Sequence, residues 1–263
     1  VARHLAARCD QYSNVTATTE TDTEQSFTYR QLHDEVNRCA AMMRALGVQR
    51  GDRVLLYMPM IPEAAFAMLA CARLGAIHSV VFGGFASHSL ATRIEDARPK
   101  LIVSSDAGMR AGKVVRYKPL LDEAIALSSH KPDAVVLVDR RLDPECTRVP
   151  GRDHDWATLR DVHAGADVPV TWLESSEPSY ILYTSGTTGK PKGVQRDVGG
   201  YLVALAASMK HIYQGHAGET MFTTSDIGWV VGHSYIVYAP LIAGMTTIFY
   251  EGVPVRPDAG IWW

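Results

Sequence analysis

Tyr180-Ile-Leu-Tyr-Thr-Ser-Gly-Thr-Thr-Gly-Lys-Pro-Lys-Gly193 sets a short apolar run directly against a loop of different chemistry. Tyr180 to Tyr183 are aromatic or aliphatic and end at a turn cluster, the pattern of a buried strand. The loop therefore leaves a strand end. Gly186, Gly189 and Gly193 let backbone N–H groups turn inward and a ligand approach closely, because glycine reaches positive φ at little steric cost. Thr184, Ser185, Thr187 and Thr188 add hydroxyls, Lys190 and Lys192 add positive charge, and Pro191 stiffens the exit. Such a set suits a multiply charged anion.

Two rival readings fit less well. A solvated Gly/Ser/Thr linker accounts neither for the strand before the loop nor for the lysines within it. The P-loop of nucleoside triphosphatases needs four residues between its glycines and a Ser or Thr after its lysine. Here only Thr187 and Thr188 separate Gly186 from Gly189, and Pro191 follows Lys190.

Upstream of the loop the pattern is repeatedly strand, then helix. Thr28-Tyr-Arg-Gln31 fits a capping box, and Leu32, Val36, Cys39, Ala40 and Met43 follow at helical spacing toward Gly47, predicting a helix over 29–46. Arg53–Met58 reads as a buried strand and Pro62 opens a helix to about Gly75. Ile77–Phe82 and Leu101–Val103 are further strands flanking a helix at Ser87–Ala97, and a helix at Pro119–Ser129 leads to a strand at Ala134–Val138. This alternation predicts an α/β fold with a doubly wound, mostly parallel sheet. Residues 139–178 carry Pro144, Pro150, Pro169 and Pro178 and read as an irregular connection with one short helix near Trp156–Val162. The chain is thus expected to divide into a first α/β subdomain, 1–178, and the start of a second, 179–263, with a helix at Val198–Tyr213, a strand at Thr220–Thr224, a helix at His233–Ala243 and a strand at Thr246–Tyr250.

Composition narrows the partners. At 47% hydrophobic and 21% charged residues the chain is an ordinary globular sequence. Its net charge of −2 provides no general field for nucleic acid or an anionic membrane. Cys9, Cys39, Cys71 and Cys146 form no C-x-x-C pair, which favours free thiols in a reducing, cytoplasmic compartment. A mitochondrial location is the alternative if a transit segment once preceded Val1.

The glycine- and lysine-punctuated loop, taken with Ser225-Asp-Ile-Gly-Trp-Val-Val-Gly-His-Ser-Tyr235, resembles the adenylate-forming enzymes, and among them the short-chain acyl-CoA synthetases. The resemblance covers essentially the whole chain. It implies the large N-terminal domain of that fold and an acid–thiol ligase activity, in which a short carboxylate reacts with ATP to give an acyl-AMP and pyrophosphate, then with coenzyme A. ATP with Mg²⁺ and coenzyme A are substrates in this scheme, and no cofactor is tightly bound. The loop Thr184–Lys192 is implied to hold the β- and γ-phosphates of ATP.

Three further segments gain roles through the same resemblance. Arg110-Ala-Gly-Lys113 is similar to the family's coenzyme A segment, with Ala111 in place of a glycine; Arg110, Gly112 and Lys113 are implied ligands, Arg110 pairing with the 3′-phosphate. Phe82-Gly83-Gly84-Phe85 is similar to the ledge on which the adenine of coenzyme A lies, although the residues alone read more simply as a tight β–α turn. Trp229, Val230, Val231 and Gly232 are implied to line the acyl pocket, where Val231 in place of the threonine of acetate-specific relatives favours propionate, since one methylene is worth about 1–3 kcal/mol in an apolar pocket. Core packing is the plain alternative for this segment. His233 is not expected to act as a base, because the carboxylate substrate is already ionised. The family's later adenine motif, ribose-binding acid, hinge and C-terminal domain with its catalytic lysine have no counterpart in the 263 residues, so an incomplete, weakly active or inactive fragment is expected. Acetate–CoA ligation and a non-catalytic nucleotide- or coenzyme A-binding module are the alternatives.

Overall fold

A computed structural model describes residues 14–19, 24–184 and 191–253. Strand β1 (Asn14–Thr19) runs antiparallel to β2 (Glu24–Thr28), and Thr28 then caps helix α1 (Tyr29–Ala45). The predicted capping box is present. The Gln31 N–H donates to Thr28 Oγ1 at 3.2 Å, and the Thr28 N–H donates to Gln31 Oε1 at 2.8 Å, which satisfies two backbone donors that a helix start leaves orphaned.

Strand and helix then alternate through β3 (Arg53–Tyr57), α2 (Pro62–Leu74), β4 (Ile77–Val81), α3 (Ser87–Ala97) and β5 (Leu101–Ser105). Hairpin β6 (Ala107–Arg110) and β7 (Lys113–Arg116) precedes α4 (Tyr117–Leu127), β8 (Ala134–Val138), β9 (Asp153–Asp155) and α5 (Trp156–Val162). After the irregular connection come β10 (Pro178–Thr184), β11 (Lys192–Asp197) and α6 (Val198–Ser208), which continues at π pitch through Met209–Tyr213. Strand β12 (Thr220–Phe222), helix α7 (Val230–Gly232), a π-helical stretch His233–Tyr238, α8 (Ala239–Ala243) and β13 (Thr246–Glu251) follow.

Seven strands form the main sheet in the order β11-β10-β4-β3-β5-β8-β9. Every neighbouring pair in it is parallel except β10 with β11. Strands β4, β5 and β8 are buried along their whole length, which explains why their apolar residues do not alternate with exposed polar ones: a sheet covered by helices on both faces has no solvent side to alternate toward. The second sheet runs β12-β13-β1-β2. Each sheet therefore takes strands from both sides of residue 178. The division suggested by the sequence follows chain order, whereas strand pairing crosses it.

Helix α4 starts two residues before Pro119. The N–H groups of Tyr117 and Lys118 donate to the Asp106 carbonyl at 2.9 and 3.2 Å, and the proline falls in the first turn, where its missing N–H costs nothing. The hairpin β6–β7 was not predicted, because each strand has four residues and pairs only with the other within its sheet. Its two central turn residues, Ala111 and Gly112, both have positive φ, 51° and 72°, the combination of a tight hairpin turn whose twist matches its strands.

A buried polar cluster joins the main sheet to the π-helical stretch. His78 on β4 and His233 are fully buried, with their Nε2 atoms 2.9 Å apart, so a single proton lies between them. His233 Nδ1 faces the Tyr201 hydroxyl at 3.3 Å, which donates to Ser234 Oγ at 2.9 Å. Burial holds the pKa of His78 down to about 3. Burial and the neighbouring His78 hold His233 well below its ordinary value.

The sign of the resulting pH dependence is determined by these depressed values. Unfolded histidines take up protons near pH 6.5 while the native pair does not, so stability is full above about pH 6.5 and declines as pH falls toward 3. The slope is expected to reach about 1.4 kcal/mol per pH unit for each histidine. Urea midpoints between pH 7.5 and 5 measure it, and the double variant His78→Gln/His233→Gln should lose this slope; equal slopes in the two proteins contradict the neutral pair. Ala111→Gly is expected to stabilise by less than about 1 kcal/mol, relief of the left-handed conformation being partly offset by backbone entropy. Calorimetry should show a rise of at most about 2–4 °C in Tm.

Candidate functional site

The carboxyl ends of the parallel strands open on one edge of the main sheet, and the segments leaving β4 and β5 meet there. The chain leaves β4 through a turn in which the Phe85 N–H donates to the Phe82 carbonyl at 3.1 Å. The hydroxyl of the buried Tyr57, at the end of β3, donates to the Phe85 carbonyl at 3.0 Å. Space here is tight. A Cβ on Gly83 would come 2.1 Å from the Tyr117 hydroxyl, and one on Gly84 would come 2.5 Å from Phe82 Cε1 and 2.6 Å from Arg110 Nη1, so a side chain at Gly83 would clash with a buried tyrosine and one at Gly84 would displace the Arg110 guanidinium or the Phe82 ring.

Arg110 ends β6 and lays its guanidinium on the Phe82 ring, 4.5 Å from the centroid, a geometry in which the ring face attracts the cation. Trp229 approaches as well, its ring 5.6 Å from that of Phe82 and 6.4 Å from that of Phe85. The turn that presents Trp229 is built by Asp226: its carboxylate accepts the Gly228 N–H at 2.7 Å and its carbonyl accepts the Trp229 N–H at 3.0 Å. A Cβ on Gly228 would come 2.8 Å from Phe82 Cα. Burial pushes the Asp226 carboxyl up, against the opposing pull of the Gly228 N–H and the Arg110 charge.

Phe82, Gly83, Arg110 and Trp229 thus line one cavity of about 270 Å³, together with Tyr117, Asp226 and other residues. Gly84 lies beneath the Arg110 side chain at its rim. Gly112 and Lys113 sit exposed at the hairpin tip, outside the lining. Val230 and Val231 are about half exposed and also outside it, while Gly232 is buried behind them. Among the described residues, no cluster of three or more His, Cys, Asp or Glu side chains is placed to hold a metal ion.

Of the predicted phosphate loop, Ser185, Gly186, Thr187, Thr188, Gly189 and Lys190 lie outside the described residues. Its flanks are described. Thr184 and Lys192 are cross-strand partners of β10 and β11, and both are exposed. Tyr183, just before the loop, donates from its hydroxyl to Asp96 on α3 at 2.6 Å. Arg93 of the same helix lies 4.3 Å from the centroid of Phe85 and 5.4 Å from that of Tyr183. Helix α3 therefore braces both the Phe82–Phe85 turn and the strand that opens the loop.

Tyr57, Arg93, Tyr117 and Asp226 were not singled out from the sequence. Tyr57 falls within the strand predicted at Arg53–Met58, Arg93 within the helix predicted at Ser87–Ala97, and Tyr117 just before the helix predicted at Pro119–Ser129. Asp226 alone carried a usable signal, an Asx residue two positions before a glycine, which marks a local turn.

Known proteins resemble the chain along its length. The profile of the family described as AMP-binding enzyme matches residues 5–263. The chain is 65% identical over 263 residues to the propionate–CoA ligase of Escherichia coli (strain K12), covering 100% of this chain and 42% of that protein. It is 68% identical over 249 residues to the propionate–CoA ligase of Salmonella typhimurium (strain LT2), covering 95% and 40% respectively. An acetyl-coenzyme A synthetase of Xanthobacter autotrophicus is 47% identical over 265 residues, covering 100% of this chain and 40% of that protein. The chain spans about two fifths of the length of the curated relatives it matches. With the match extending over nearly every residue and a mostly parallel α/β sheet beneath it, this chain belongs to the AMP-binding enzyme family.

Proposed function

We propose that this chain carries the phosphate-facing and coenzyme A-facing parts of an acid–thiol ligase that acts on propionate. The observation that carries the reading is the convergence of Phe82, Gly83, Arg110 and Trp229 on one cavity. The names of the relatives that are 65% and 68% identical supply the acyl group. In the first step a propionate oxygen attacks the α-phosphorus of ATP, the new O–P bond forms, and pyrophosphate leaves with the electron pair of the bond that breaks. In the second the coenzyme A sulfur attacks the acyl carbon and AMP departs.

Charge builds around phosphorus in the first step, so the residues required are donors and cations held in place, since phosphoryl chemistry is accelerated mainly by positioning and electrostatic stabilisation. Thr184 to Lys192 supply hydroxyls, N–H groups and two lysines, and Mg²⁺ accompanies ATP as part of that substrate. For coenzyme A, Arg110 is the 3′-phosphate ligand, with Phe82, Gly83 and Gly84 forming the adenine ledge and Gly112 and Lys113 the outer part of the site. Trp229, Val230, Val231 and Gly232 bound the acyl group. The free thiols Cys39, Cys71 and Cys146 suit a reducing, cytoplasmic setting, and no described helix is long and apolar enough to cross a membrane.

Carboxylate-dependent ATP–pyrophosphate exchange, run with propionate and acetate side by side in a full-length ligase that contains this chain, is expected to favour propionate, and equal or faster exchange with acetate overturns the acyl assignment. Coenzyme A binding seen by calorimetry with no exchange for any acid by that full-length protein points instead to a binding module. Val231→Thr is expected to lower the propionate-to-acetate ratio of kcat/KM by about tenfold or more, the scale of one methylene in an apolar pocket; an unchanged ratio removes Val231 from the acyl pocket.

A further inference from the structure

Arg110 stands at the end of a four-residue strand with an otherwise open edge. In the hairpin, Ala107 pairs with Arg116 and Arg110 with Lys113. In such a two-residue hairpin the last pair exchanges hydrogen bonds, so the backbone groups of residues 107 and 109 face away from the partner strand. Among the described residues no third strand meets them in this sheet. An ion pair takes its place. Glu251, at the end of β13 and 2% exposed, accepts the Met109 N–H through Oε1 at 3.0 Å. The same carboxylate receives Arg140 Nη1 at 2.5 Å and Nη2 at 2.6 Å. Arg140 Nη1 also donates to the Ala107 carbonyl at 3.3 Å, and the Arg140 N–H is held by Asp106 Oδ1 at 3.1 Å.

We infer that the Arg140–Glu251 pair is a positioning element for Arg110: it substitutes for a neighbouring strand along the free edge of β6 and so sets where the Arg110 guanidinium meets a phosphate. The inference rests on the proposed assignment of Arg110 to the 3′-phosphate of coenzyme A. Geometry supports it at three points. Met109, whose N–H the carboxylate holds, is the residue immediately before Arg110. The pair is bidentate and largely buried, with side-chain exposures of 13% for Arg140 and 2% for Glu251, and such a pair is favoured only when its geometry is good and its remaining hydrogen-bonding capacity is met. It also ties the hairpin to β13 of the second sheet, while Arg140 follows β8 of the main sheet, so the hairpin is registered against both sheets. A role limited to stability would need no contact beside Arg110.

The test compares calorimetric affinities of the 263-residue chain for coenzyme A and for 3′-dephospho-coenzyme A. The double variant Arg140→Met/Glu251→Met removes both members of the ion pair without stranding a buried charge, a replacement that such pairs often tolerate, and leaves the Ser105 hydroxyl on the Ala107 carbonyl. It is expected to melt as a folded protein and to lose about tenfold of the preference for coenzyme A, the scale of one hydrogen bond to a charged group. Arg110→Gln should lose the same preference, and adding it to the double variant should lower the ratio no further, the non-additivity of residues acting through one contact. A folded double variant with an unchanged ratio, or with both affinities lowered equally, overturns the inference. Should the double variant not fold, Glu251→Gln, which keeps an acceptor for Met109, is expected to show an intermediate preference, and a preference equal to that of the unsubstituted chain overturns the inference. If the unsubstituted chain binds both ligands equally, the phosphate assignment of Arg110 fails and the positioning role fails with it; if it binds neither, the coenzyme A reading itself is lost.

Discussion

The constraint on which the rest of the molecule depends is the burial of the central strands on both faces. Strands β4, β5 and β8 expose no side, so each of their backbone polar groups must find a partner within the sheet. Parallel pairing with crossover helices meets that demand and has a geometric consequence. Consecutive strands then run the same way, and every carboxyl end opens on one edge. The turn after β4, the hairpin after β5 and the loop after β10 therefore begin on one side of the sheet.

Side chains at that edge hold the turns in place instead of further secondary structure. The Asp106 carboxylate, fully buried just beyond β5, accepts the N–H groups of Arg140, Leu142 and Asp143. Its carbonyl starts helix α4. Tyr57 secures the Phe82–Phe85 turn, and Arg93 and Asp96 reach from α3 to Phe85 and Tyr183. Such contacts place cavity-lining residues on rigid elements, which holds a site more closely than a mobile loop does. The cavity is polar where Arg110 and Asp226 enter it and aromatic where Phe82 and Trp229 close it, a division suited to a ligand with a charged end and an apolar end.

How much was legible beforehand depended on how local the cause was. The capping box at Thr28 and Gln31 is a contact between residues three apart, and it was read correctly together with the helix it starts. Pro62 and Gly75 bracket α2 as expected, because a proline at a helix start and a left-handed glycine at its end are properties of those residues alone. The strands at Ile77 and Ala134 were equally plain, their apolar runs being the direct image of two-sided burial. Hairpin β6–β7 was not legible: its strands are short, and Arg140 and Glu251, which hold its outer edge, lie up to 142 residues away from the backbone they hold. The extra turn of helix at Tyr117 likewise depends on a carbonyl eleven positions earlier.

By itself the sequence determined the α/β class and the positions of most helices and strands, because periodicity and caps act over a few residues, and its glycine and lysine spacing marked the segment from Thr184 to Gly193 as the candidate for phosphate. It also marked Phe82, Arg110 and Trp229 separately. Only the tertiary structure decided that these three meet on one cavity, that β10 and β11 join the sheet begun by β3 while β1 and β2 pair toward β13, and that a buried carboxylate on the last described strand holds the residue before Arg110. Those outcomes depend on which strand lies beside which, and strand order in a parallel sheet is set by burial and crossover geometry across the whole chain, a cause that no short stretch of residues contains.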